Sequence, residues 1–374
     1  MINCAEYVSL GHSDKTADAI ASYLLDEYIK HDPKVRFALE VQLKDHVCNL
    51  AGEVTSTWKP TSGEIEFHVK EAIRKVGYTA QYAARWPEGA TLNADNVVVN
   101  NFIGQQSPNI AQGVDREGWG DQGVFAGMAT DEAVYDFLPR DVYFARKIGR
   151  ELYKAAKDNV APIGLDIKTL VSIAAEGVEQ VIVAAPIIPG NEAIAHEFIE
   201  DIVEDVLAAK QYTCKELIIN GTGSYVIHSS VGDAGVVGRK LAVDFYGLNC
   251  PIGGGTTWGK DGTKADVTLN LAARYHSLYT MLVNFGKYKK VFTKISCCIG
   301  RSKCLIVQTD ENGNVIMKSN DEMIPSELIK KFGLNGIGYG NCFFSMCANG
   351  LFSHVDNVAL QYASTNALGP KADA

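Results

Sequence analysis

One order of elements, helix, strand, strand, helix, strand, recurs three times along this 374-residue chain with no repeat in the residues themselves, and it constrains the fold more than any other feature. In the first third, Ile20, Leu24 and Tyr28 follow helical spacing from a start at Ser13 and Asp14. Val35, Phe37, Leu39, Val41 and Leu43 then alternate with Arg36, Ala38, Glu40, Gln42 and Lys44, the period of a strand with one buried face. Glu40 therefore points away from the apolar side. A second strand runs from Val47 to Val54. Thr61 and Glu64 predict a capping box for a helix carrying Ile65, Val69, Ile73 and Val76 and closed by Gly77, and residues 96–103 read as a third strand.

The middle third predicts a helix through Val142, Ile148 and Leu152, strands near 166–174 and 178–187, a helix through Ile194, Phe198 and Ile202, and a strand at 216–219. The last third predicts a helix from Asp266, strands near 290–299 and 304–309 with an Asn-Gly turn signal at 312–313, a short helix near 326–332 and a strand near 340–347. The simplest architecture is α+β: three similar units, each a mixed or antiparallel sheet with helices on one face. The opposite faces need cover, which predicts a homo-oligomer; mutual cover inside a monomer is the alternative.

A hydrophobic content of 47% allows a large core, and a net charge of −9 argues against nucleic-acid or anionic-membrane partners. The opening MINCAEYVSLGHSDK lacks a basic and then apolar leader, and no apolar run nears the ~18 residues of a membrane span. A cytoplasmic location is expected. Nine cysteines without a CxxC pair read as reduced core thiols, with zinc as the minor alternative; Cys297, Cys298, Cys304, Cys342 and Cys347 sit in strand-like stretches.

Four segments carry chemistry. Gly11-His12-Ser13-Asp14-Lys15 stands at a helix start, where free N–H groups favour phosphate, Lys15 adds charge and Asp14 suits Mg²⁺. Its plain alternative is an N-cap beside a solvated lysine. Gly118 to Gly123, GWGDQG, permits close approach of a ligand or makes an ordinary turn. Gly232 to Lys240, GDAGVVGRK, sets Arg239 and Lys240 beside a permissive loop, suited to a polyphosphate or to a surface turn with an Arg–Asp pair. The densest segment, GGGTTWGKDGTKAD at 253–266, precedes a helix and is hard to read as a plain loop. Within it Gly254 to Lys260 has P-loop spacing, but Asp261 stands where Mg²⁺ needs serine or threonine, and the parallel βαβ order is missing.

In this order the four segments closely resemble the S-adenosylmethionine synthetases, with QQSPNIAQGV at 105–114 similar to the family's mobile active-site loop. The resemblance spans nearly the whole chain. It implies three domains about a pseudo-threefold axis, here 1–109, 116–226 and 228–374 with the loop at 104–115, and a homodimer, or a tetramer, with active sites between subunits. It also implies ATP and L-methionine as substrates and Mg²⁺ (two per site) and K⁺ as cofactors. The reaction implied is attack of the methionine sulfur on C5′ of ATP, release of triphosphate, and its cleavage to pyrophosphate and phosphate.

Carried over by position, His12, Lys168, Arg239, Lys240, Lys260 and Lys264 would be catalytic. ATP would also meet Lys15, Asp166, Ser224, Tyr225, Asp233 and Thr256; methionine would meet Glu53, Gln106, Asp121, Asp233 and Lys264. Asp14 and Asp266 would hold Mg²⁺, and Glu40 would hold K⁺. The chain departs from the family pattern at Ser13 (proline), Asn109 (aspartate), Ser224-Tyr225 (Arg-Phe), His228-Ser229-Ser230 (Gly-Gly-Pro) and ANGLFS at 348–353. Tyr225 keeps a ring for adenine, whereas Ser224 removes a cation. A non-catalytic binding homologue, and an enzyme cleaving ATP with another thioether, are the competing readings.

Overall fold

The computed structural model describes residues 2–104, 117–336 and 342–367, so the loop reading and Gln106 and Asn109 lie outside the described residues. Twelve strands form three four-stranded sheets, in the orders β4-β3-β2-β9, β1-β6-β7-β8 and β12-β11-β10-β5. The strands are β1 (Asn3–Val8), β2 (Arg36–Lys44), β3 (Val47–Thr55), β4 (Val98–Gly104), β5 (Gly123–Thr130), β6 (Lys168–Ala174), β7 (Gly177–Ala184), β8 (Cys214–Ile219), β9 (Gly235–Val236), β10 (Lys290–Cys297), β11 (Lys303–Asp310) and β12 (Val315–Glu322).

Sequence periodicity misses how the thirds are joined. β1 pairs antiparallel with β6, β5 with β10, and β9 with β2. Each third of the chain thus gives its first strand to the next third's sheet, and the last gives one back to the first. β1, β5 and β9 were too short or too irregular in pattern to be read as strands, and β12 follows the Asn-Gly turn as the far arm of a hairpin. The first two sheets end on a parallel pair, β3 with β4 and β7 with β8, whereas the third is antiparallel throughout.

Each sheet carries its own helices on one face: α1 (Ser13–His31) and α2 (Ser62–Val76), α3 (Arg140–Lys157) and α4 (Glu192–Ala208), and α5 (Ala265–Val283) with α6 (Pro325–Lys331). The capping box of α2 is present, Thr61 accepting from the Glu64 amide and Glu64 from the Thr61 amide. α1 is buried along Ser13–Ile29, more than an amphipathic stripe would give, because α2, β2, β9 and α7 (Cys342–Asn349) enclose it. α8 (Ser353–Ala367) lies against α5. The strand expected near 340–347 is therefore a correction: Cys342–Asn349 is helical, and its apolar run fills space beside α1 instead of pairing in a sheet.

Six cysteines are buried, none is in a disulfide, and no metal-ligating cluster occurs among the described residues. Among those residues no helix is long and apolar enough to cross a membrane.

Asp26 ties α1 to α7 by accepting the amides of Phe343 (3.0 Å) and Phe344 (2.8 Å). Burial pushes its carboxyl up to about 7 against the pull of those amides. The folded value lies above the ~3.9 of an exposed aspartate, so folding favours the neutral form. Its contribution to stability is full below pH ~4 and is lost as pH rises through about 7. Thermal unfolding from pH 4 to 8 should show this decline, and Asp26→Asn should flatten it; an unchanged slope would show that Asp26 is ionised throughout.

Candidate active site

The site is built on one interrupted edge, that of β2. β9 pairs with Gln42 and Leu43, and Val237 N–H still reaches Val41 O at 3.0 Å. Carboxylates of α1 take the amides on the other edge of this segment: Asp14 Oδ1 accepts from Val236 (2.8 Å) and Asp18 Oδ1 from Gly238 (2.8 Å). Farther along β2, the glycine-rich segment takes over its edge, with Leu39 N–H on Gly259 O (2.8 Å) and Asp261 N–H on Phe37 O (3.1 Å). Gly235 is required for this approach, since a Cβ there would lie 2.1 Å from Ser13 O.

His12 caps α1, its Nδ1 accepting the Asp14 N–H at 3.1 Å. Burial and then the charges of Lys168 and Lys240 push the imidazole down to about 3, against Asp14 and Asp233. The ring is neutral near pH 7 and keeps its proton on Nε2, which makes that nitrogen a donor. Asp14 Oδ2 accepts from Lys240 Nζ at 2.8 Å, with Arg239 Nε 3.6 Å from Oδ1. Burial raises the Asp14 carboxyl, but the Lys240 bond, the Val236 amide and the Lys240 charge outweigh it and hold it below its ordinary value.

Lys168 opens β6 opposite Val8, and Ser9 fastens this junction by donating to Leu165 O (2.6 Å) and accepting from Ile167 N (2.9 Å). Asp166 is buried. Its Oδ2 accepts from the Ser229 amide at 2.9 Å, Tyr225 donates to the carboxylate, and Oδ1 has no partner. Burial lifts its carboxyl to about 6, against Ser229, Tyr225 and Lys168.

A second group forms around 253–266. Lys260 Nζ lies 2.5 Å from Asp266 Oδ2, Lys264 precedes the first turn of α5 with Nζ 3.9 Å from Asp261, and Thr256 accepts the Trp258 N–H (3.1 Å). Among the described residues no hydrogen bond or ion pair joins Lys260, Lys264 or Asp266 to His12 or Asp14. Glu40 and Glu53 share the open face of the first sheet, and Asp121, Ser224, Asp233 and Arg239 are exposed. Lys15 has a different occupation from the phosphate contact expected of it: its buried ammonium is held by Asp18 (2.9 Å) and Asp244 (2.7 Å), and it also lies over the Trp258 ring.

Family models described as the N-terminal, central and C-terminal domains of S-adenosylmethionine synthetase match residues 1–108, 116–225 and 227–355. The chain belongs to the S-adenosylmethionine synthetase family. An S-adenosylmethionine synthase of Wolinella succinogenes is 36% identical over 324 residues, covering 83% of this chain and 80% of that protein. One from Zymomonas mobilis is 34% identical over 343 residues, covering 86% and 84%. The solved structure of an unusual S-adenosylmethionine synthetase from Campylobacter jejuni superposes with a TM-score of 0.86 at 28% identity, over 97% of this chain and 99% of that one.

Against that family pattern, the departures acquire structural reasons. Ser13 is the first residue of α1, a position that also accepts proline. His228 is buried between Tyr82, whose hydroxyl lies 2.8 Å from Nε2, and Trp86, with Nδ1 2.7 Å from Val226 O. Ser229 takes a left-handed backbone (φ 62°), natural to the glycine common there, while its Oγ accepts the Leu92 amide at 2.9 Å. The sequence marked His228, Ser229 and Ser230 only as departures; that the Ser229 amide holds Asp166 needed the fold.

Asp261, at the P-loop's serine or threonine position, is an anchor: it accepts from Phe37 N (2.7 Å), Thr263 N (2.8 Å) and Thr263 Oγ1 (2.5 Å). Asp261→Ala leaves buried amides unpaired and should cost about 1–3 kcal/mol in urea denaturation. A loss under about 0.5 kcal/mol would show that the segment is anchored elsewhere.

Proposed function

We propose that this chain, a methionine adenosyltransferase by family, joins ATP and L-methionine at the start of α1. The observation that carries this is the convergence of Asp14, Arg239 and Lys240 around the helix N-terminus, with neutral His12 and the charge of Lys168 beside it. A thioether has no proton to remove, so the residues need only position two substrates and stabilise charge on the departing oxygen. Lys168, Arg239 and Lys240 meet the triphosphate; His12 Nε2–H donates to the oxygen leaving C5′. Asp166 Oδ1, buried and without a partner, accepts from the nucleotide, and Tyr225 holds that carboxylate in place.

Mg²⁺ suits single carboxylates combined with phosphate oxygens better than a protein-only cage, and Asp14 and Asp266 stand singly in this way. There it would neutralise phosphate charge. Glu40 on the open sheet face is the proposed K⁺ ligand, and Glu53, Gln106, Asp121, Asp233 and Lys264 the methionine contacts. Lys260, Lys264 and Asp266 form their own group, which supports a dimer in which one subunit completes the other's site. Exposed Val98 and Phe102 beside the amide ladder Gln42–Asn49–Asn100 give the first sheet a face to pair. The division into 1–109, 116–226 and 228–374, and a cytoplasmic location, belong to the same proposal.

Purified protein with ATP, methionine, Mg²⁺ and K⁺ should yield S-adenosylmethionine, phosphate and pyrophosphate by chromatography. ATP loss without the sulfonium product would replace this reading with another ATP-cleaving activity, and no turnover would favour a binding subunit. Lys264→Ala should slow product formation at least ~100-fold, the scale of one lost electrostatic contact in a transition state; near-normal turnover would reject its role.

A further inference from the structure

A cavity of about 430 Å³ lies between α3, α5 and the C-terminal helices α7 and α8, lined by none of the residues assigned above to ATP and methionine. Arg146, Lys147 and Arg150 of α3 form its basic wall, and Phe137, Leu278 and Leu360 are among its apolar lining. Its size falls in the range of small-molecule sites, which combine an apolar body with few charged groups.

The two arginines of that wall are not paired with a carboxylate among the described residues. Asp356 lines the cavity but is engaged by Arg274 (2.7 and 2.9 Å), and Lys147 is paired with Glu151 (2.7 Å). Neither Arg146 nor Arg150 has a carboxylate within ion-pair distance among the described residues, and Asp136 is the remaining acid in the lining. Among the described residues buried Arg146 donates from one nitrogen, Nη2, to the carbonyls of Val243 (3.0 Å), Asp244 (2.8 Å) and Phe245 (2.5 Å). Arg150 bonds Tyr7, its buried Nε has no partner, and its Nη2 passes 2.4 Å from where a Cβ of Gly350 would stand. Gly350 (φ 106°) thus leaves room for the guanidinium. Burial, and then the charge of Arg150, push Arg146 down to about 10, against the pull of Asp244.

Two neighbouring guanidiniums in a half-enclosed, partly apolar cavity are costly alone and well placed together for an oxyanion, which arginine takes in bidentate geometry. We infer that this cavity is a second ligand site, taking a small compound with a phosphate or carboxylate head on Arg150 and Arg146 and an apolar body against Phe137, Leu278 and Leu360.

Phenyl phosphate, phenylacetate and neutral benzyl alcohol, titrated calorimetrically into the full chain, test the site and distinguish the two heads. One or both anions should bind saturably, one per chain, and benzyl alcohol should not. Arg150→Gln should weaken that binding at least tenfold while leaving KM for ATP and methionine unchanged. Lys147→Gln, on the exposed flank, should weaken it severalfold even if the Arg150 variant folds poorly. Lys240→Met, which strikes the proposed triphosphate contacts, should leave it intact. Absence of saturable binding by either anion, equal binding of benzyl alcohol, binding indifferent to both α3 variants, or loss in Lys240→Met would overturn the inference.

Discussion

The antiparallel pairing of each third's first strand with the next third's sheet is the constraint on which the rest of the structure depends. β1 on β6, β5 on β10 and β9 on β2 close a ring of three, so that no sheet is complete without a segment from another third. Each donated strand also lies under the long helix of the sheet it joins, α3 over β1, α5 over β5 and α1 against β9. The exchange fixes the helices relative to the sheets, and with them the loops at the helix starts. Non-local pairing of this kind carries a loop-closure cost before it is rewarded, which a core as continuous as this one offsets.

The site follows from the weakest of the three joints. β9 is only two residues long, held by β2 on one edge and on the other by Asp14 and Asp18, which accept the amides of Val236 and Gly238. The backbone turns at Gly238 (φ 78°), and the turn delivers Arg239 and Lys240 to Asp14. The glycine-rich segment, anchored by Asp261 on Phe37, occupies the rest of the edge and carries Lys260, Lys264 and Asp266 to the start of α5. Two helix N-termini, in the first and last thirds, therefore carry the same arrangement of aspartate and lysine. Charge is concentrated there within an acidic protein, where it acts in partly dehydrated surroundings and is worth more than on an open surface.

Two of the departures from the family pattern, at Tyr225 and Ser229, meet at Asp166. Tyr225 supplies a hydroxyl to Asp166 that phenylalanine would lack, and Ser229 supplies an amide to the same carboxylate from a left-handed backbone. His228 fills space against Trp86 and Tyr82 where smaller residues are common. Ser224 itself is exposed and brings no cation there.

Local pattern made much of this legible. Alternation from Val35 to Leu43 defined β2 and turned Glu40 outward, the Thr61–Glu64 box defined α2, and the glycine-lysine-aspartate segments marked the chemistry, because strand period, caps and phosphate-binding residue types are properties of short stretches. What depended on distant partners was not legible. Cys342–Asn349 has apolar character suited to a strand but became a helix against α1; Lys15 looked like a phosphate ligand until Asp18 and Asp244 enclosed it; β1, β5 and β9 became strands only because another third offered an edge. The sequence by itself determined the helix, strand, strand, helix, strand order of the first two thirds and the inventory of charged residues. Only the tertiary structure decided which carboxylate holds which cation, because that choice is made by burial and by contacts between residues hundreds of positions apart.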